Sequence, residues 1–220
     1  KKKKKNKMKI TKDQIIGLGP NSRLVKEYKN SLVKLNSNQF QASIGLMLGD
    51  ASLQSQNNGL SYRMKFEWGN KNKAYLMHVH NLFDEWVLSH PHEKKRLSPN
   101  GNQVINWGFQ TLSHPAFNIL AELFLDKNNN GKKIIANSLI KDFLSPKGLA
   151  YWFMDDGGKL DYNKGSKNKS IVLNSQSFTS SEVEMMSEEL SNKFHLVCDL
   201  RLNKGKKVIV IKNESYNLFY

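Results

Sequence analysis

A chain of 220 residues with 39% apolar content has enough apolar surface for one large domain or two smaller ones, which excludes a wholly disordered protein. A formal net charge of +15 points to a polyanionic partner, nucleic acid or an acidic membrane. One cysteine, Cys198, excludes an internal disulfide and a cysteine-rich zinc site and fits a reducing compartment, and no apolar run approaches the roughly 18 residues of a membrane span.

The charge is uneven. Residues 1–35 carry 12 Lys and Arg against Asp13 and Glu27, so +10 of the +15 lies in the first sixth of the chain. Two readings of residues 1–5, all lysine, stay open: a solvated tail or a phosphate-binding arm. No apolar stretch follows, so this is no secretory signal. Gly17 to Ser22 reads as a turn, with Ser22 as a candidate cap for a helix to about Leu35, and Asn38 is the candidate cap of the next helix. That helix holds Ser43-Ile44-Gly45-Leu46-Met47-Leu48-Gly49-Asp50-Ala51, an apolar run of small residues that ends in an acid. Tyr62, Met64, Phe66 and Trp68 then alternate with Arg63, Lys65 and Glu67, the period of a half-buried strand.

Residues 72–88 switch to helical spacing. Pro91 and Pro99 mark loops. Residues 103–110 alternate again, with Ile105, Trp107 and Phe109 facing away from Asn106, Gly108 and Gln110. Residues 114–125 are helical, residues 126–133 form a polar loop, and a short helix follows that Pro146 breaks. The second apolar run, Leu149-Ala150-Tyr151-Trp152-Phe153-Met154-Asp155-Asp156-Gly157, again ends in acids. Strands are expected near 158–163 and at 170–176, then a helix from Thr179 to about Phe194 with acids in its first turn. A hairpin closes the pattern, with strands near 196–203 and 207–212. Helix, two strands, helix, two strands, helix thus occurs twice, an internal repeat of about 100 residues. The expected division is a basic arm and first helix at 1–35, a first unit at 36–137, a linker at 138–146 and a second, shorter unit at 147–220.

Gly45 and Gly49 lie four apart on one helical face, where small side chains allow a close helix–helix approach. Ala150 is the small residue of the second run, beside bulky Tyr151 and Trp152. If the two helices pack together, Asp50 and Asp156, 106 positions apart, emerge at one end, with Asp155 adding a third acid. Carboxylates gathered at a helix C-terminus repel one another without a cation, and hard oxygen donors favour Mg²⁺. One acid per metal with a phosphate between them suits phosphodiester hydrolysis. Arg63, Lys65, Asn106, Gln110, Lys159, Asn174, Gln176, Arg201 and Lys207 are the polar residues expected on the strand faces, with Gln54 and Gln56 after the first run; Arg and Lys suit guanine and phosphate, Asn and Gln suit adenine. The pairs His78 and His80, and His90 and His92, fall on different helix faces or in loops and give no zinc set.

The paired runs resemble the double LAGLIDADG motif of single-chain homing endonucleases, and the likeness extends through Phe66-Glu67-Trp68, Asn72-Lys73-Ala74-Tyr75, Trp86-Val87-Leu88-Ser89, Ala150 through Gly158 and Lys169 through Asn174. It spans about Gly17 to Tyr220. The resemblance implies an α+β fold of two pseudo-symmetric αββαββα units with saddle-shaped antiparallel sheets. It implies a monomeric mitochondrial enzyme that cuts double-stranded DNA with Mg²⁺, or Mn²⁺ in its place, and leaves short 3′ overhangs. Asp50 and Asp156 would hold metal with help from Gly49 and Asp155, and Lys133 would serve as the lysine beside a scissile phosphate. The sequence departs from the pattern at Ser43, Leu48, Ala51, Ala136 and Met154, and the family's last helix and second lysine fall beyond Tyr220. The same fold also serves intron RNA maturases and non-cleaving DNA-binding proteins; retention of both acids favours the endonuclease.

Overall fold

The computed structural model describes residues 9–160, 165 and 167–219. The lysine run at 1–5, the far end of the strand expected at 158–163, and Tyr220 lie outside these.

In chain order, α1 (Arg23–Ser31) and α2 (Ser37–Leu48) precede strands β1 (Ser52–Ser55) and β2 (Tyr62–Gly69). Next come α3 (Lys73–Leu82), β3 (His92–Leu97), β4 (Gln103–Gln110) and α4 (Asn118–Phe124). The two-residue strands β5 (Leu125–Asp126) and β6 (Lys132–Lys133) lead to α5 (Leu139–Phe143) and α6 (Pro146–Asp156). The chain continues through β7 (Gly157–Lys159), β8 (Ile171–Leu173), α7 (Ser180–Phe194), β9 (Cys198–Asn203), β10 (Lys206–Ile211) and α8 (Tyr216–Phe219). Two compact units result. One joins the residues up to Asn36 with Ser52–Asn118; the other joins Ser37–Ala51 with the residues from Ile119 onward. Helix α2 therefore belongs with the second unit, whereas the sequence pattern assigns it to the first repeat.

The first unit holds an antiparallel sheet of order β1-β2-β4-β3. Met64, Phe66 and Trp68 of β2 are buried as their alternation requires. Phe66 stacks on Phe109 at 4.7 Å and meets Phe83 at 5.7 Å, so the strand faces inward onto aromatic rings. The expected helix at 22–35 stops at Ser31, whose hydroxyl donates to the Tyr28 carbonyl at 2.6 Å while Leu32 turns extended. Ser22 stands at its N-cap position without a side-chain cap bond. Strand β3, which the sequence pattern hides, is exposed along its whole length. His-Glu-Lys-Lys-Arg-Leu has no apolar alternation because both faces of this edge strand are wet.

The second unit repeats the sheet order as β7-β8-β10-β9. Its α7 opens with the expected signal, a capping box in which Thr179 Oγ1 accepts from Glu182 N–H and the Glu182 carboxylate accepts from Thr179 N–H. The stretch 138–146, expected as a linker with a short helix before Pro146, contains α5, and Ile140 N–H donates to Glu189 of α7. Pro146 does not break a helix: it opens α6 at a position where a missing N–H costs nothing, behind Ser145, whose hydroxyl accepts from Gly148 N–H. Likewise α2 begins at Ser37, so Asn38 is no cap; its side chain accepts from Lys147.

Candidate active site

Helices α2 and α6 meet backbone to backbone. A Cβ on Gly45 would stand 1.9 Å from the Gly148 carbonyl oxygen, and one on Gly148 would stand 2.9 Å from the Gln41 carbonyl. Gly148 is thus the small residue that answers Gly45, and Ala150 is exposed. Phe40 and Phe143 meet edge to face at 6.4 Å beside this seam.

The seam brings the C-terminal ends of both helices together. A Cβ on Gly49 would reach within 2.3 Å of Asp155 Oδ2, so glycine is required there. The same carboxylate oxygen accepts from Asp50 N–H at 2.9 Å. Asp155 therefore brackets the turn after α2 with its side chain. Burial pushes the Asp156 carboxyl up to about 7; the Asp50 charge pushes the same way, and Lys133 opposes both. Two acids from distant parts of the sequence share one electrostatic site.

Lys133 enters from β6. The β5–β6 turn has Asn130 and Gly131 at φ 48° and 70°, left-handed values that asparagine and glycine tolerate. This tight hairpin aims Lys133 Nζ at the Gly49 and Ala51 carbonyls, at 2.9 and 3.0 Å. Burial lowers the ammonium from 10.5 to about 8 against the pull of Asp156, Asp155 and Asp50. A lysine here neutralises the acids, caps the helix end and can titrate close to neutrality. Sequence pattern alone leaves Lys133 as one more loop lysine.

Among the described residues no three His, Cys, Asp or Glu side chains converge as a complete ligand set. The site supplies the Asp50 and Asp156 carboxylates and nearby backbone carbonyls. That hard, sparse donor set fits a Mg²⁺-like ion, which retains water and takes phosphate oxygens for its other positions.

The first sheet gathers its expected polar residues on one face. Cross-strand pairing sets Gln54 opposite Arg63, Lys65 opposite Gln110, and Gly69 opposite Asn106, all alternating with buried Met64, Phe66 and Trp68. Arg63 donates through Nε and Nη2 to Gln54 Oε1 at 3.1 and 2.6 Å. Glu67 accepts from Lys94 and Asn106 at 2.6 and 2.9 Å, which holds its carboxyl below the usual range. Lys94 pairs with Asn106, so His92, Lys94 and Arg96 of β3 join this face, and sequence reasoning missed all three. Gln56 is exposed in the β1–β2 turn.

The second sheet departs from expectation. Arg201 is exposed and lies opposite Val208, on the face shared with Lys206. Lys207 falls on the other face, with Ile209, and is ion-paired to Glu184 of α7. Lys159 pairs with Ile171 on that same side. Val208 to Ile211 are all buried, so β10 carries no period-two signal from which to assign Lys207. Asn174 and Gln176 lie past the end of β8 and turn inward: Asn174 donates to the Asp156 carbonyl, and Gln176 donates to Asn174.

The family model described as "LAGLIDADG DNA endonuclease family" matches residues 40–219. A protein of Wickerhamomyces canadensis named "Probable intron-encoded endonuclease 1" is 44% identical over 211 residues, which is 96% of this chain and 89% of that protein. The solved structure of the homing endonuclease I-WcaI bound to its DNA recognition sequence shares 44% identity and a TM-score of 0.90, over 96% of this chain and 91% of that one. The cytochrome b mRNA maturase bI2 of Debaryomyces hansenii is 32% identical over 165 residues, 74% of this chain and 59% of that protein.

Proposed function

The chain belongs to the LAGLIDADG DNA endonuclease family, and on that premise we propose that it is a site-specific homing endonuclease that cuts both strands of a long DNA target as a monomer. The observation that carries the reading is the electrostatic coupling of Asp50 and Asp156 at one end of the α2–α6 seam, with Lys133 on the carbonyls at the end of α2. The protein named in the I-WcaI structure is bound to its DNA recognition sequence, and likeness to it supports a duplex partner. Likeness to intron-encoded yeast proteins supports action in mitochondria.

The roles follow from the chemistry of each group. The carboxylates of Asp50 and Asp156, with the Gly49 and Asp155 carbonyls, would hold divalent metal, Mg²⁺ in the first instance. When bound, that metal supplies charge neutralisation at the phosphate and a water of lowered pKa. Asp155 fixes the Asp50 backbone through its 2.9 Å hydrogen bond. Lys133 offers an ammonium close to its own pKa, able to stabilise charge that develops on the phosphate or to orient the attacking water. Arg63, Lys65 and Lys94, on the polar face of the first sheet, supply phosphate and guanine contacts, and Asn106 and Gln110 on the same face suit adenine. Arg201 does the same on the second sheet.

Incubating the full chain with a plasmid pool carrying randomised duplex inserts, in Mg²⁺, is expected to yield linear plasmids that share one long target. Breakage without a shared sequence, or none in Mg²⁺ or Mn²⁺, contradicts the reading. Likeness to the bI2 maturases favours a second reading, intron RNA binding on the same fold. Tighter binding to intron RNA than to the selected DNA site would favour it over the first.

A further inference from the structure

A helix leaves its last carbonyls without partners inside the helix. Beside the paired acids each of the two helix ends has its own donor. Lys133 serves Gly49 and Ala51 at the end of α2. Asn174 serves α6, and it does so twice: its backbone N–H and its Nδ2 both reach the Asp156 carbonyl oxygen at 2.9 Å. Only the nitrogen end of the amide can donate to a carbonyl, so the orientation of the side chain is fixed. Its Oδ1 accepts from Gln176 Nε2 at 3.4 Å.

Both ends of the Asn174 amide are therefore engaged inside the protein. An asparagine that reads adenine needs its oxygen and nitrogen presented together to the base edge. Asn174 is half-buried, next to Leu173, which pairs with Gly157. The peptide it holds is the link between Asp156 and Gly157. Gly157 is the first residue after α6 and is extended, at φ −88° and ψ 160°. The acid beside it is repelled by Asp50. Held by the Asn174 backbone N–H alone, this peptide plane is where the repulsion would be relieved, and the carboxylate would move with it.

We propose that Asn174 is a positioning residue for Asp156: its side-chain amide locks the Asp156–Gly157 peptide and so sets the direction of the Asp156 carboxylate. Gln176 braces the amide. This rests on the endonuclease reading above, and it removes Asn174 and Gln176 from the base-reading set.

The test uses the full chain and a supercoiled plasmid carrying the selected target. Asn174→Ala removes the amide, and Asn174→Asp keeps its size but turns an oxygen to the carbonyl. Each is expected to slow cleavage of one strand by about 10- to 100-fold, the usual cost of losing a group that orients a metal-site ligand. Nicked circles then accumulate, while affinity for the target in EDTA stays at the wild-type value and both variants remain folded at the assay temperature. Wild-type cutting of both strands by Asn174→Ala overturns the proposal. So does a loss of cleavage matched by an equal loss of affinity, or one spread evenly over both strands. If both Asn174 variants unfold, Gln176→Ala carries the test: a smaller bias toward nicks supports the brace, and its absence overturns it. Failure of the wild type to cut at all would overturn the endonuclease reading and this proposal with it, whereas wild-type cutting with unbiased variants overturns this proposal alone.

Discussion

Asp156 and Lys133 are held at protonation equilibria that folding itself opposes. The Asp156 carboxyl rises from 3.8 to about 7, so the folded chain binds that proton more tightly than the unfolded chain does. The stability it contributes is complete below the unfolded value and is lost as pH rises through about 7. Lys133 works in the opposite sense. Its pKa falls from 10.5 to about 8, so the unfolded chain binds its proton more tightly in that window and stability recovers as pH rises through it. In metal-free buffer these two groups set a stability minimum between their folded values. Asp156→Asn is expected to remove the fall on the acid side and to raise the unfolding midpoint at pH 7.5; superimposable wild-type and Asp156→Asn curves would contradict it. The two acids are legible in the sequence because the apolar run that carries them occurs twice. Lys133 is not, because its position depends on a two-residue strand in a polar stretch, and only likeness to a family singles it out. Asn174 misleads in the other direction: it continues the strand alternation on paper, yet β8 ends at Leu173 and its amide turns inward.

Helices α2 and α6 hold their register through glycine rather than through side-chain interlocking. The Gly45 Cα sits against the Gly148 carbonyl with no room for a methyl group. Gly45→Ala is expected to destabilise the protein by about 1–3 kcal/mol or more, since the methyl would push backbone against backbone. Gly19→Ala, at a glycine with open space around it, is the control. Urea unfolding that ranks the two variants alike would contradict the seam. The motif spacing reveals Gly45 and Gly49, but not their partner: Gly148 lies just before the second apolar run, and Pro146 reads as a breaker when it is in fact the opening of α6. Strands were legible where one face is wet and one dry, as in β2 and β4. The signal fails at the two extremes, in β3, exposed throughout, and in β10, buried from Val208 to Ile211.

Across the whole molecule, the repeat was readable as a pattern without being an identity. The sheets β1-β2-β4-β3 and β7-β8-β10-β9 share one strand order. The polar face of the first sheet carries Arg63, Lys65, Lys94 and Arg96, with Glu67 as an internal brace. Binding to the selected duplex should weaken steeply with salt, because each phosphate contact releases condensed counterions, at about −0.9 in log–log slope per contact. Arg63→Ala and Lys94→Ala are each expected to flatten that slope by about one contact if the lost group meets phosphate. A variant that keeps the wild-type slope and affinity removes its residue from the interface.

Phosphodiester hydrolysis at this site depends most on Asp50 and Asp156 acting together. The direct measurement is cleavage of a supercoiled plasmid bearing the selected target in Mg²⁺ by Asp50→Asn and Asp156→Asn, alongside duplex affinity in EDTA. Neither variant should produce linear DNA, and both should bind the target as the wild type does. Linear product at the wild-type rate from either one would contradict the assignment.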